Sequence, residues 1–226
     1  MTDHVLVERK GPVQIIRMNR PDRKNAITRA MYATMAAALS EGDADPEIRV
    51  HAIFGTPGAF SSGNDISDFM VIATGGEGVA VGIGTTIHLH CDLTFATPRT
   101  EFRTPFVDLG LVPEAGSSLL APAVMGRQNA FAMLGLGIGF SAERARETGL
   151  IYEVVPEDRL EDVAIAAAEA IAAKPPEALK ISRDLMRQPR ERVVERIKEE
   201  GGHFRQRLTS DEARNAFMAF MNRKKG

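Results

Sequence analysis

Glu114 lies in the run Leu111-Val112-Pro113-Glu114-Ala115-Gly116, a carboxylic acid set among apolar and small residues. An apolar surround raises a carboxyl's proton affinity and fits it to give and take protons near neutral pH. Most glutamates after proline are the ordinary content of a solvated loop or helix start, and the local sequence alone favours that reading. Asp108 is a second, minor acid close by. Two loops expose backbone N–H groups: Phe60-Ser61-Ser62-Gly63-Asn64-Asp65-Ile66, and Gly78-Val79-Ala80-Val81-Gly82-Ile83-Gly84. Glycine there lets a ligand approach the backbone and places donors at a helix start. The same glycines also serve in tight turns between strand and helix. His88 and His90 stand two apart, on different sides of a helix, and without a third ligand at suitable spacing they make no zinc site. Ser117-Ser118 lacks the strand–turn setting of a nucleophile and any evident histidine partner.

The elements that must position these groups follow from periodicity and turn signals. Val5 to Arg9 and Val13 to Met18 flank Gly11-Pro12 and predict a β-hairpin. Asn25 through Leu39 predicts a helix with Thr28 as its N-cap, and Val50 to Gly55 an apolar strand. Thr85 to His90 predicts a helix, and Cys91 to Ala96 another strand. Strands alternating with helices define an α/β core with parallel pairing. After Gly126 the texture is helical: Ala130 to Leu136, Ser141 to Thr148 (Ser141 as N-cap), Leu160 to Ala173, Pro175 to Gln188 and Arg190 to Leu208. The chain is thus read as an α/β core over residues 1–126 and a helical region over 127–226.

Composition narrows the class. With 226 residues, 44% hydrophobic, the chain can bury a sizeable core. A net charge of −2 argues against nucleic acid as a partner. The single cysteine, Cys91, excludes an internal disulfide and fits a reducing compartment. No run of 18 apolar residues or signal-peptide pattern is present, so no membrane association and a cytoplasmic location are expected.

Taken in order, several motifs resemble the crotonase (enoyl-CoA hydratase/isomerase) superfamily. They run from Arg20-Pro21 and Asn25-Ala26, through Ser62-Gly63-Asn64-Asp65-Ile66, to Gly82-Ile83-Gly84 and Cys91-Asp92. They continue through Phe102, Pro105 and Leu109 to Gly116, and end in Ala142 to Val155. The resemblance implies an α/β, crotonase-like spiral of ββα units, with the C-terminal helices serving trimerisation and covering the acyl pocket. It implies an acyl-CoA thioester as substrate, coenzyme A being part of that substrate, with no other cofactor and no metal. A homotrimer or dimer of trimers is expected. The thioester oxygen would sit between the backbone N–H groups of Asn64 and Ile83, where an enolate needs preorganised donors. Substrate contacts would come from Arg23, Lys24, Ala26, Ser62, Gly63, Asp65, Ile66, Gly82, Phe106 and Pro113. Asp65 is also read as the cap of the following helix, and Cys91 falls at a structural, apolar position. Phe217 and Phe220, on the last helix, serve as core or as pocket lining.

Hydratases of this family use two glutamates, and the corresponding positions here are Thr86 and Phe106. Neither is acidic. Glu114 instead resembles the single catalytic carboxylate of the Δ3-Δ2-enoyl-CoA isomerase branch, with Phe106, Leu109, Leu111 and Val112 as its apolar surround. Two alternatives stand beside it: a hydratase or other thioester-enolate enzyme using Glu114 with a water, and a non-catalytic acyl-CoA-binding module. One stretch departs from the pattern. Between Met70 and Glu77 only six residues stand where a parallel crossover needs a dozen or more, so a segment of about two dozen residues is missing by comparison.

Overall fold

The computed structural model describes residues 4–65 and 79–223. Along the chain the strands are β1 (Val5–Lys10), β2 (Val13–Met18), β3 (Val50–Phe54), β4 (Val79–Val81), β5 (Phe95–Ala96), β6 (Glu101–Arg103), β7 (Phe140–Ser141) and β8 (Glu153–Val154). The helices are α1 (Arg29–Ala44), α2 (Ile83–Thr86), α3 (Ser117–Leu134), α4 (Ala142–Glu147), α5 (Leu160–Ala172), α6 (Pro176–Met186), α7 (Arg190–Leu208) and α8 (Asp211–Arg223). They fall into two units: Met1–Val79 with Val155–Arg187, and Ala80–Val154 with Gln188–Gly226.

In the first unit the predicted hairpin is present, with β1 and β2 antiparallel from Val5↔Met18 to Lys10↔Val13. β2 is largely buried on both faces as the middle strand, paired on its other edge with β3 in parallel. The connection that a parallel pair requires is α1. Thr28 caps α1 as predicted, accepting from the Met31 N–H, and Met31, Met35, Ala38 and Gly42 form its buried stripe. The helix begins four residues later than the sequence suggested and runs five further, because residues 25–27 are held in a turn described below. On α5, Ile165 and Ala168 close over Val13, Ile15 and Phe54. None of the residues of α6 is buried.

In the second unit β4, β6 and β7 form one small sheet, β6 and β7 antiparallel, while β5 pairs with β8 in parallel. Of the predicted strand Cys91 to Ala96, only the last two residues pair; Ile87–His90 is a 3-10 turn and Cys91 is exposed, not apolar-packed. α3 begins well before the predicted helix and runs through Gly126, whose backbone is non-helical (φ 75, ψ 158). Ser141 caps α4 through the Arg144 N–H, as the sequence indicated. The core joins Phe102, Phe106, Leu111, Ala121, Met125 and Phe140, with Phe204, Leu208 and Phe217 of the last two helices packed against it. Each buried phenylalanine contributes about 1.5–3 kcal/mol. No helix among the described residues is long and apolar enough to cross a membrane.

Candidate active site

The chain approaches Glu114 through a tight turn. The Leu111 N–H bonds back to Phe106 O at 2.8 Å, and Gly110 between them has φ 68. A side chain at Gly110 would meet the Ala213 nitrogen of α8 at 2.7 Å, so close approach as well as backbone hand demands glycine here. After Glu114, Ala115 (φ 59) and Gly116 (φ 73) both take left-handed conformations and turn the chain into α3. For alanine this costs of order 1 kcal/mol. It is held in place by the His90 ring, whose Nε2 lies 2.7 Å from Ala115 O. A carbonyl only accepts, so Nε2 carries the proton.

The Glu114 carboxyl is partly buried, and Thr86 of α2 donates to its Oε1 at 2.9 Å. Burial pushes its pKa up to about 7; the Thr86 hydrogen bond works against this, and the negative charge of Glu200 adds to it. Phe106 and Leu111, expected as apolar surround, belong to the buried core beside the turn, with Leu109 packed against it. Glu200, on α7, accepts from the Gly116 N–H (2.6 Å), the Ser118 N–H (2.9 Å) and the Ser118 hydroxyl (2.5 Å). The Arg196 guanidinium donates to that hydroxyl at 3.3 Å. Gly82 caps α2, its N–H bound to Arg103 O at 2.9 Å. Ile83 opens the helix, at an end where the first N–H groups have no partner within the helix. Pro113 is partly buried.

The first unit gathers the other motif residues around a loop tie. Ile27 N–H bonds Gly63 O (2.8 Å) and Asp65 N–H bonds Ile27 O (2.9 Å). Since the residues on either side of Asn64 both face Ile27, the Asn64 N–H is directed away from it. The Asn64 side chain accepts from the Tyr32 hydroxyl at 2.5 Å. Ser62 N–H bonds Lys24 O, and the Ser62 hydroxyl bonds Arg23 O. Arg23 is exposed; Lys24 and Ala26 are partly buried. Asp65 is buried and ion-paired with Arg20. Ile66, the helix that Asp65 was expected to cap and the Met70–Glu77 connection lie outside the described residues, as does the Phe220 side chain.

Four residues escaped the sequence reading as contributors to this arrangement. Thr86 was read only as a missing carboxylate, and His90 only as a failed metal ligand. Asn25 was read as a motif letter. Glu200 did leave a signal: it is the one charged residue in the helical stripe Val193, Ile197, Glu200, Phe204, Leu208. Among the described residues no group of three or more His, Cys, Asp or Glu is placed to hold a metal ion. His88 is buried, which lowers its pKa to about 4 and keeps it neutral.

The turn presents one partly buried carboxyl of raised pKa beside a helix start, and the family comparison agrees with the motifs. The chain belongs to the enoyl-CoA hydratase/isomerase family, whose model matches residues 8–73 and 67–226. It is 32% identical over 250 residues to "Enoyl-CoA delta isomerase 2" of Rattus norvegicus, covering 97% of this chain and 64% of that protein. The chain therefore spans less than two thirds of that relative's length. To "Probable enoyl-CoA hydratase" of Rhizobium meliloti (strain 1021) it is 27% identical over 250 residues, covering 98% of this chain and 96% of the relative. Among solved structures, Pseudomonas aeruginosa OdaA superposes with a TM-score of 0.90 at 39% identity, covering 97% of this chain and 99% of the other. The two family-model matches overlap at residues 67–73, which run into the short connection. The rat alignment spans 250 positions against 226 residues here, so that relative carries residues this chain lacks.

Proposed function

We propose that this protein processes acyl-CoA thioesters, moving a double bond from the 3- to the 2-position of an enoyl-CoA with Glu114 as its single acid/base. The observation that carries the reading is the Glu114 carboxyl, raised to about 7, with Thr86 and Phe106 where a two-glutamate site would have its acids. A group with that proton affinity takes and returns a proton near neutral pH with little penalty in either direction.

The Glu114 carboxylate removes a proton from C2, and the electron pair flows into the thioester to form a dienolate. The oxygen of that dienolate is assigned to the Asn64 and Ile83 backbone N–H groups; motif order supports this assignment. Glu114, now protonated, delivers the same proton to C4, and the double bond comes to rest between C2 and C3. Thr86 occupies Oε1 as a donor, which leaves Oε2 as the oxygen that moves the proton. Arg23 and Lys24 are assigned to the CoA phosphates, as exposed or partly exposed cations. A second reading is hydration by Glu114 with a water, favoured by the hydratase name borne by the Rhizobium relative.

Assay of one 3-enoyl and one 2-enoyl thioester separates the readings. The isomerase reading expects turnover of the first, and Glu114→Gln should lower it by about 10²–10⁴-fold while binding of the thioester persists. Unchanged turnover in that variant overturns the assignment. Turnover of the 2-enoyl substrate alone favours hydration, and binding without turnover of either marks a binding module.

A further inference from the structure

α3 has 18 residues, yet its N-cap is Gly116, and no side chain of its own start caps it. The first N–H groups of a helix carry a partial positive charge of about half a unit. Glu114 stands two residues before that cap. An uncapped helix start in that place favours the ionised form of a nearby carboxyl, which would spoil a base that must also hold a proton. The structure fills the position from 84 residues away in sequence. Glu200 of α7, buried to 6% exposure, accepts from Gly116 and Ser118 N–H and from the Ser118 hydroxyl. Its two oxygens thus occupy the helix start.

We propose that Glu200 is a positioning residue for the acid/base: it pins the Glu114 turn to α7 and shields Glu114 from the positive end of α3. This rests on the reading of Glu114 given above. Other contacts agree with α7 and α8 as the brace of this turn. A side chain on Gly116 would press Val193 and Ile197 of α7 at 3.3 Å, and Arg207 of α7 donates to Gly110 O at 3.1 Å. The titratable and charged groups around the segment include Glu200, Arg196 and Arg207 on α7, Glu212 on α8 paired with Arg207, Asp108 two residues before Gly110, and His88 and His90 in the turn after α2. His88 is neutral above about pH 4, and His90 acts on Ala115 through its N–H.

The test is the titration of Glu114 in wild type, Glu200→Gln, Glu200→Asp and Glu200→Ala. It is followed directly by the ¹³C carboxyl signal of labelled glutamate, assigned by its loss in Glu114→Gln. The pH profile of 3-enoyl-CoA turnover is recorded alongside. Removing the charge should move the Glu114 midpoint down by about 0.5–1 unit in Glu200→Gln, and further in Glu200→Ala, which bares the helix start. Glu200→Asp keeps the charge and should hold the midpoint near that of wild type while kcat falls. The acid limb of the turnover profile should follow the same order. An unmoved midpoint in Glu200→Gln overturns the proposal, whatever happens to kcat, because a merely structural role lowers the rate without moving the midpoint. If Glu200→Ala fails to fold, the Gln and Asp variants decide. Absence of wild-type turnover would sink the isomerase reading alone, since the carboxyl titration still reports on Glu200.

Discussion

A carboxyl that holds its proton to about pH 7 in the folded protein, against 4.5 without the fold, leaves a mark on stability as well as on rate. The folded state binds that proton more tightly than the unfolded chain, so stability falls as pH rises from 4.5 to 7 and stays lower above. Glu114→Gln removes the charge and should therefore stabilise the protein by about 1–3 kcal/mol at pH 8. The gain should vanish near pH 4. Urea unfolding at the two pH values checks this, and an equal effect at both would mean that the fold does not raise the proton affinity of Glu114. His88 has the opposite sign. Its pKa is lowered from 6.5 to about 4, so its contribution is whole above pH 6.5 and is lost as pH falls toward 4. The type and neighbours of Glu114 were legible in its own sequence run. Thr86 and His90, which fix its carboxyl and its turn, were not, because nothing in a threonine or histidine announces a partner 25 or 28 residues away.

At the scale of elements, the loop tie in the first unit depends on one side chain. Asn25 is fully buried and its amide donates to Thr56 Oγ1, Ala59 O and Phe60 O, while its Oδ1 accepts from the Arg20 N–H. Its own φ is 54, a conformation asparagine tolerates better than most residues. Asn25→Ala should cost about 2–4 kcal/mol, from the lost hydrogen bonds to Thr56, Ala59, Phe60 and the Arg20 N–H and from added backbone strain. Asn25→Asp should be no better, since its second oxygen would face two carbonyls. A shift in the urea midpoint measures both, and an Asn25→Ala change below about 1 kcal/mol would refute the keystone role. Helix starts such as Thr28 and Ser141 were readable because a cap acts within three residues. The late start of α1 and the early start of α3 were not, because distant partners decide them: residues 56–65 for the first and Glu200 for the second.

At the scale of the molecule, α7 and α8 belong with the unit that carries Glu114. They add Phe204, Leu208, Ala213 and Phe217 to its core and hold both ends of the Glu114 turn. A chain ending after Arg187 should expose that apolar surface and lose its hold on the turn. It should bind a hydrophobic dye and lose turnover by at least about 10²-fold. Retained activity in the shortened chain would show that the brace is dispensable.

The sequence by itself determined the family, the hairpin and the helical texture of the last hundred residues, and it singled out Glu114 as the candidate acid/base. Each of these is written in local spacing, in turn residues or in ordered motifs along the chain. Only the tertiary structure decided what surrounds Glu114: the Thr86 hydroxyl on one oxygen, the His90 N–H on the next carbonyl and a second carboxylate over the start of α3. The physical reason is range. A cap or a periodic stripe acts over a few residues, whereas the proton affinity of a buried acid is set by charges and donors brought near it by folding, from any distance in sequence.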